Sequence, residues 1–224
     1  MVRKVLLVCG ILSTLLYVVT DIFAATRWED YSYTDQTVSE LFAIDAPTRP
    51  LVVPPFLTYS VLVIAFGLGV WGSAGRKRAL HFTPVGLAGK EVEGFVVTLF
   101  FPIHQRGEEA TFTDTMQATL AFVGVLFILL AMGFRATAFG KRFRLYSIGT
   151  ILLLVVGGVL TALDQPRLAA NLPTPWMGVW ERINIYAFLL WVVVLAIAVL
   201  RAQVERPQDD LDGRRLDNTR RQPS

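Results

Sequence analysis

Cysteine and histidine are scarce in this chain of 224 residues, and that scarcity excludes several classes of site. Cys9 is the one cysteine, so an internal disulfide and a zinc site built from cysteine thiolates are excluded. The two histidines, His81 and His104, stand ~34 Å apart along a helix, too far to ligate one haem or one zinc together. We therefore expect no metal site and no cofactor.

Charge is also scarce, at 17% of the residues, whereas hydrophobic residues make up 54%. A soluble domain usually carries about 25% charged residues. The apolar residues form blocks, so the expected solvent is lipid. The net charge of +3 comes with basic residues in short loops beside apolar runs, a pattern typical of membrane orientation and not of nucleic-acid binding.

Long apolar runs are abundant, and six of them could cross a hydrocarbon core of about 30 Å as helices. They cover residues 5–25, 51–71, 79–102, 115–134, 145–163 and 179–200. We predict an all-α fold, a bundle of six transmembrane helices in residues 1–200. Residues 201–224 mix charges and prolines and have no aromatic residue, which predicts a disordered cytoplasmic tail. A cleaved signal peptide competes for the first run, but the length of its apolar core favours a retained helix.

The distribution of lysine and arginine predicts the orientation of this bundle. Basic residues cluster at Arg3 and Lys4, at residues 76–78 and at residues 135–144, whereas residues 26–50 carry five acids. Short loops rich in Lys and Arg stay in the cytoplasm. We therefore expect a multi-pass protein of the plasma membrane with both termini in the cytoplasm.

Polar residues converge at the predicted outer end of four of the runs. Asp21 lies within the last turns of the first run, where an unpaired carboxylate is costly, and Arg49 or Arg182 would be a suitable partner. Arginines at this end would bind an anionic headgroup, with acids orienting them. The alternative interpretation of these polar residues is that they belong to solvated loops and form structural ion pairs. The candidate ligand-binding residues are Asp21, Arg49, His104, Arg106, Glu181 and Arg182.

Three charged residues, Lys90, Glu91 and Glu93, lie about halfway along the third run. Ionisable side chains at that depth are functional candidates. Lys90 and Glu93 are three positions apart and can pair on one helical face, which leaves Glu91 to find another partner. The alternative is a helix that begins nearer Gly94, with the charges in a cytoplasmic lead-in.

Several segments together resemble a known family. They are Asp35-Gln36-Thr37-Val38-Ser39-Glu40-Leu41, Phe101-Pro102-Ile103-His104-Gln105-Arg106-Gly107, Thr113-Asp114-Thr115-Met116 and Trp180-Glu181-Arg182. As a set they are similar to the prokaryotic six-helix membrane family catalogued as domain of unknown function nine-nine-eight, over roughly residues 5–200. The resemblance places a histidine where this chain has Gln117. It implies the fold and no reaction.

Four functions fit these features. The first is a membrane protein that binds a small or lipidic ligand in an outward-facing polar pocket. The others are an enzyme acting on lipid at the outer leaflet with His104 or Asp114 as base, a proton- or ion-coupled transporter using Lys90, Glu91 and Glu93, and a structural subunit of a larger complex. The expected partner is membrane lipid, with an oligomer or partner subunit open and no nucleic acid.

Overall fold

Within the residues that the structure describes, the chain forms six long helices and one short 3₁₀ helix. The computed structural model describes the backbone of residues 1–73, 79–133 and 140–220, and within these ranges it leaves out the side chains of residues 79–81, 169 and 204–220. The helices are α1 (Val2–Ala25), α2 (Arg49–Trp71), α3 (Ala79–Phe100), α4 (Phe112–Gly133), α5 (Gly140–Ala169) and α6 (Met177–Arg220), with the 3₁₀ helix at Val38–Phe42. The described ranges contain no strand, so the predicted all-α class is confirmed.

Five of the six helices have the length and composition of membrane spans. These are α1, α2, α4, most of α5 and the part of α6 from Met177 to Gln203. The remaining helix, α3, has 22 residues and a length of ~33 Å, and it carries the charges of Lys90, Glu91 and Glu93. The chain is thus a helical protein with the character of a multi-pass membrane protein.

The connections after α1, α3 and α5 meet at one end of the bundle, which we call the loop end. The amide of Ile44, in the α1–α2 connection, donates to the carbonyl of Ile103, just after α3, at 2.7 Å. The amide of Val179, at the start of α6, donates to the carbonyl of Thr34 at 3.2 Å. α2 therefore begins where α3 ends, and the loop end holds the segments that the sequence predicts to converge.

The interior is apolar and the helices approach closely at small residues. Trp191 of α6 and Phe66 of α2 are both fully buried, and the Trp191 indole donates to the Ser147 hydroxyl of α5 at 3.0 Å. A Cβ on Gly10 of α1 would lie 2.8 Å from the Phe66 ring, and one on Gly86 of α3 would lie 2.8 Å from the amide of Ala131. Small residues at such contacts are typical of packed membrane helices.

The surface is apolar along the helices, as expected for chains in lipid. Leu15 and Val19 of α1 and Leu152 and Val156 of α5 are exposed. In water such faces would be a large uncompensated apolar surface. The pattern is consistent with hydrocarbon around the bundle.

Part of the predicted organisation lies outside the described residues. That holds for residues 76–78 and for Arg135, on which the predicted orientation partly rests, and for the side chain of His81. α6 is helical as far as Arg220 and so extends into the segment that the sequence predicts to be disordered. The division at residue 200 stays a prediction.

Candidate functional site

A buried ion pair joins α1 to α6 at the loop end. Asp21 and Arg182 are each 3% exposed. Arg182 Nε lies 3.1 Å from Asp21 Oδ2, and Arg182 Nη2 lies 3.1 Å from Asp21 Oδ1. This two-pronged geometry is the strong form of a carboxylate–guanidinium contact. Of the two partners that the sequence offers Asp21, Arg182 makes the pair.

The same guanidinium group fastens the α1–α2 connection to α6. Arg182 Nη1 donates to the carbonyls of Tyr33 at 2.8 Å and Gln36 at 3.0 Å. Arg182 Nη2 donates to the Tyr31 hydroxyl at 2.6 Å, and that hydroxyl donates to the Thr37 carbonyl at 2.7 Å. Arg182 therefore has its donors directed at protein acceptors, and its charge is held within the fold.

Two tyrosines complete the surroundings of Asp21. The hydroxyls of Tyr33 and Tyr186 donate to Asp21 Oδ2 at 3.1 and 2.5 Å, and they lie 2.9 Å from each other. The Tyr33 ring also stacks on Arg182, with the guanidinium carbon 3.6 Å from the ring centre. Burial raises the pKa of the Tyr33 hydroxyl and that of Tyr31. Both therefore stay protonated as donors at neutral pH.

A second ion pair at the loop end joins Glu40 to Arg106. Arg106 Nε lies 2.5 Å from Glu40 Oε1 and Nη2 lies 3.0 Å from Oε2. Arg106 also donates to the Thr174 hydroxyl and to the Asp35 carbonyl, both at 2.7 Å. The Glu40 carboxylate accepts from the amide of Thr37 at 2.7 Å, which closes a capping box on the 3₁₀ helix. This pair holds the α3–α4 and α5–α6 connections to the α1–α2 connection.

Glu181 and Arg49 contact the 3₁₀ helix from opposite ends. Glu181 accepts from the amide of Val38 and from the Ser39 hydroxyl, the latter at 3.2 Å. Arg49 donates to the Phe42 carbonyl and to the Thr98 carbonyl, the latter at 3.2 Å. Among the residues that the structure describes, Arg49 therefore binds backbone carbonyls and has no carboxylate partner.

His104 and Asp114 form a separate pair near the start of α4. The His104 amide lies 2.8 Å from Asp114 Oδ1, and His104 Nδ1 lies 2.9 Å from Asp114 Oδ2. The Thr111 amide and hydroxyl both donate to Asp114 Oδ2 at 2.8 Å. Both ring and carboxylate are partly exposed. The second ring nitrogen, Nε2, makes no hydrogen bond to the described part of the chain.

A cleft opens between α1, α2 and the 3₁₀ helix, next to the buried ion pair. Its walls are mostly apolar and aromatic, with Thr20 and Asp21 among the residues that line it. Tyr17 and Tyr59 close its deeper end, with ring centres 5.1 Å apart. The lining residues are Tyr17, Thr20, Asp21, Val38, Leu41, Phe42, Val52, Pro55, Phe56 and Tyr59. The cleft has a volume of about 10 Å³, room for about one water molecule, so an apolar chain could enter only if its aromatic walls move apart.

The charges of α3 lie behind this cleft. Glu91 is fully buried and Glu93 is 8% exposed, so these acids face protein. Lys90 Nζ lies 3.1 Å from Glu93 Oε2, the pairing that the spacing predicts. Residues 79–94 are helical, so α3 does not begin at Gly94 as the alternative interpretation supposes.

No group of three His, Cys, Asp or Glu side chains within the described ranges lies close enough together to hold a metal ion. The loop end instead holds two arginine–carboxylate ion pairs, the His104–Asp114 pair, and the charges of Arg49 and Glu181, which bind the 3₁₀ helix. Its chemistry is hydrogen bonding and charge neutralisation.

The candidate residues from the sequence omit four contributors to this arrangement, three tyrosines and Glu40. Tyr31, Tyr33 and Tyr186 bind Arg182 or Asp21, whereas a tyrosine near an apolar run also suits a membrane interface. Glu40 carried a usable signal, because Thr37-x-x-Glu40 has the spacing of a capping box.

The comparisons with known proteins identify a family and no activity. A family model described as "Protein of unknown function (DUF998)" matches residues 11–198, which confirms the resemblance. No curated protein and no solved structure matches the chain.

Proposed function

The chain belongs to the family described as protein of unknown function (DUF998), and because that description names no activity, we propose from its geometry that it is a membrane protein that binds a small or lipidic ligand at its loop end. The observation that carries the proposal is the apolar cleft beside the buried Asp21–Arg182 pair.

The proposed topology is six spans, with the loop end outside the plasma membrane and both termini in the cytoplasm. The sixth span is α3, and its support is the contact between Ile103, beyond its end, and Ile44 at the loop end. The distribution of lysine and arginine in the sequence supports the choice of side. The cleft then opens toward the outer half of the bilayer.

The composition of the cleft favours a ligand with a single apolar chain and an uncharged polar end. Phe42, Phe56 and Tyr59 offer aromatic walls for a chain. The Asp21 carboxylate is already balanced by Arg182, so a charged headgroup would leave an unbalanced charge in a buried place. The Thr20 hydroxyl can instead exchange hydrogen bonds with a ligand hydroxyl, whereas the Asp21 carboxylate already accepts four hydrogen bonds from the protein.

The candidate ligand-binding residues then divide into two roles. Asp21 lines the cleft next to Thr20, the proposed hydrogen-bonding contact for the ligand. The other five hold the connections of the loop end in place: Arg49, His104, Arg106, Glu181 and Arg182.

The test is saturable photocrosslinking with a monoacylglycerol that carries a diazirine in its chain. In membranes that contain the protein, we expect labelled peptides from α1 and α2, and excess unlabelled monoacylglycerol should abolish the label. Val52 is 1% exposed and lines the cleft, so Val52→Phe should fill it and reduce the labelling at least tenfold. The matched control is Val61→Phe on the exposed face of the same helix, which should leave the labelling unchanged.

Equal labelling of the Val52→Phe and Val61→Phe variants would contradict the proposal, since the probe would then be reporting lipid around the protein. Probes of the same chain length with an amine or a carboxylate test the ligand class. Stronger saturable labelling by either one would reject the uncharged headgroup.

A second candidate, a lipid-modifying enzyme, rests on the His104–Asp114 pair. Asp114 fixes the His104 ring through Nδ1. Nε2 then has no hydrogen bond to the described residues and is free to accept a proton as a general base. Release of fatty acid from phospholipid vesicles by the purified protein, lost in His104→Ala and kept in Glu108→Ala at an exposed site, would favour this function. Equal rates in both variants would reject it.

A further inference from the structure

Glu91 is a buried acid that the proposed ligand cleft does not use. Its side chain has no exposed surface. Neither carboxyl oxygen has a hydrogen-bond partner within the described part of the chain. An ionised carboxylate in such a place is strongly unfavourable, because it has lost its water, and the neighbouring Lys90 is paired with Glu93.

The groups around Glu91 can complete its hydrogen bonds once it carries a proton. The hydroxyls of Tyr59 and Ser60, both on α2, lie beside its carboxyl group. The Ser60 hydroxyl is itself buried and has no partner among the described residues. A protonated Glu91 can donate to Ser60 and accept from Tyr59, whereas an ionised Glu91 can only accept from the two hydroxyls.

The charges of the neighbouring residues also favour a protonated Glu91. On α3, Lys90 is paired with Glu93, and this pair packs against Gly124 of α4, where an added Cβ would lie 2.5 Å from Glu93 Oε2. From α1, Tyr17 packs against the Tyr59 ring and lies within electrostatic range of Glu91. With Lys90 and Glu93 cancelling each other, a neutral Glu91 leaves the buried cluster neutral, whereas an ionised one leaves it with an uncompensated negative charge.

We propose that Glu91, with Tyr59 and Ser60, forms a proton-binding site in the middle of the bundle, occupied at neutral pH. The inference goes beyond the ligand cleft and does not depend on the identity of any ligand. After loss of the proton, the Glu91 carboxylate would turn toward the Lys90 ammonium group and compete with Glu93 for it. Tyr59 belongs to both the proton site and the wall of the cleft, so the two are in direct contact.

Infrared spectroscopy of the whole chain in lipid nanodiscs at neutral pH tests the proposal. The wild-type minus Glu91→Gln difference spectrum should contain one carbonyl band of a protonated carboxylic acid, and that band should shift in D₂O. Ser60→Ala should move the same band to higher frequency, because its hydrogen bond is lost. Two controls should leave it unchanged: Ser13→Ala, a buried serine of α1, and Glu29→Gln, an exposed acid.

The absence of the band from that difference spectrum would overturn the proposal. A band that does not respond to Ser60→Ala would also overturn it, and this variant remains informative if Glu91→Gln fails to fold. If sodium chloride removed the wild-type band with no change of pH, the site would bind a metal cation and not a proton. That result would also overturn the proposal.

Discussion

Arg182 joins three separate parts of the chain through one guanidinium group. It binds the Asp21 carboxylate on α1, the carbonyls of Tyr33 and Gln36 in the following connection, and the carbonyl of Gly178 in its own helix. A buried charge is tolerated only when it is paired and hydrogen-bonded. Because the Asp21 carboxylate receives two tyrosine hydroxyls in addition, both members of the pair are satisfied.

Replacement of one member of the Asp21–Arg182 pair should therefore destabilise the fold more than replacement of both members. Arg182→Met leaves the Asp21 carboxylate buried without its cation and should lower the free energy of unfolding by about 3–5 kcal/mol. The double variant Asp21→Asn with Arg182→Met should recover part of that loss, because no buried charge remains. Equilibrium unfolding in mixed micelles measures both values.

Arg27→Met is the matched control for this prediction. Arg27 is exposed and its guanidinium lies 4.6 Å from the centre of the Phe23 ring, so its replacement should change the free energy of unfolding by about 0.5 kcal/mol or less. If Arg182→Met were no more destabilising than Arg27→Met, the Asp21–Arg182 pair would have no structural role.

At the scale of the elements, the start of α6 lies close against the α1–α2 connection at Gly178. A Cβ on Gly178 would collide with the Gln36 carbonyl and lie 2.8 Å from that of Tyr33. Arg182 binds both of these carbonyls. A side chain at position 178 would thus push the α1–α2 connection away from the guanidinium group.

Gly178→Ala should accordingly cost about 1–3 kcal/mol of unfolding free energy through overpacking. Gly149→Ala in α5 is the control, since its Cβ would meet no atom within 4 Å and alanine favours a helix over glycine. Thermal unfolding of both variants compares them directly. A Gly178→Ala protein as stable as the Gly149→Ala protein would show that the connection is not clamped against α6.

The helices themselves follow from the sequence, whereas their pairing does not. The apolar run at 51–71 predicts α2 to within two residues of its observed start at Arg49, because length and hydropathy are local properties. The choice of Arg182 over Arg49 for Asp21 depends on how α6 packs on α1, which no local pattern encodes. Lys90 and Glu93 are an exception, since helical geometry alone brings them together.

In the molecule as a whole, the polar groups are divided between two levels. The loop end carries the ion pairs Asp21–Arg182 and Glu40–Arg106, which fasten three connections to one another. The middle carries the cluster around Glu91, and the cleft lies between the two levels. Such an arrangement needs a bilayer that places the loop end in water and the exposed apolar faces in lipid.

The proposed topology is the claim on which the outward-facing cleft depends, and cysteine labelling in intact cells tests it most directly. In a Cys9→Ala background, cysteine replaces one exposed residue at a time: Asp45, Glu108 or Lys141. A membrane-impermeant maleimide should label positions 45 and 108 in intact cells and reach position 141 only after the cells are opened. Labelling of position 141 from outside, with positions 45 and 108 protected, would contradict the account.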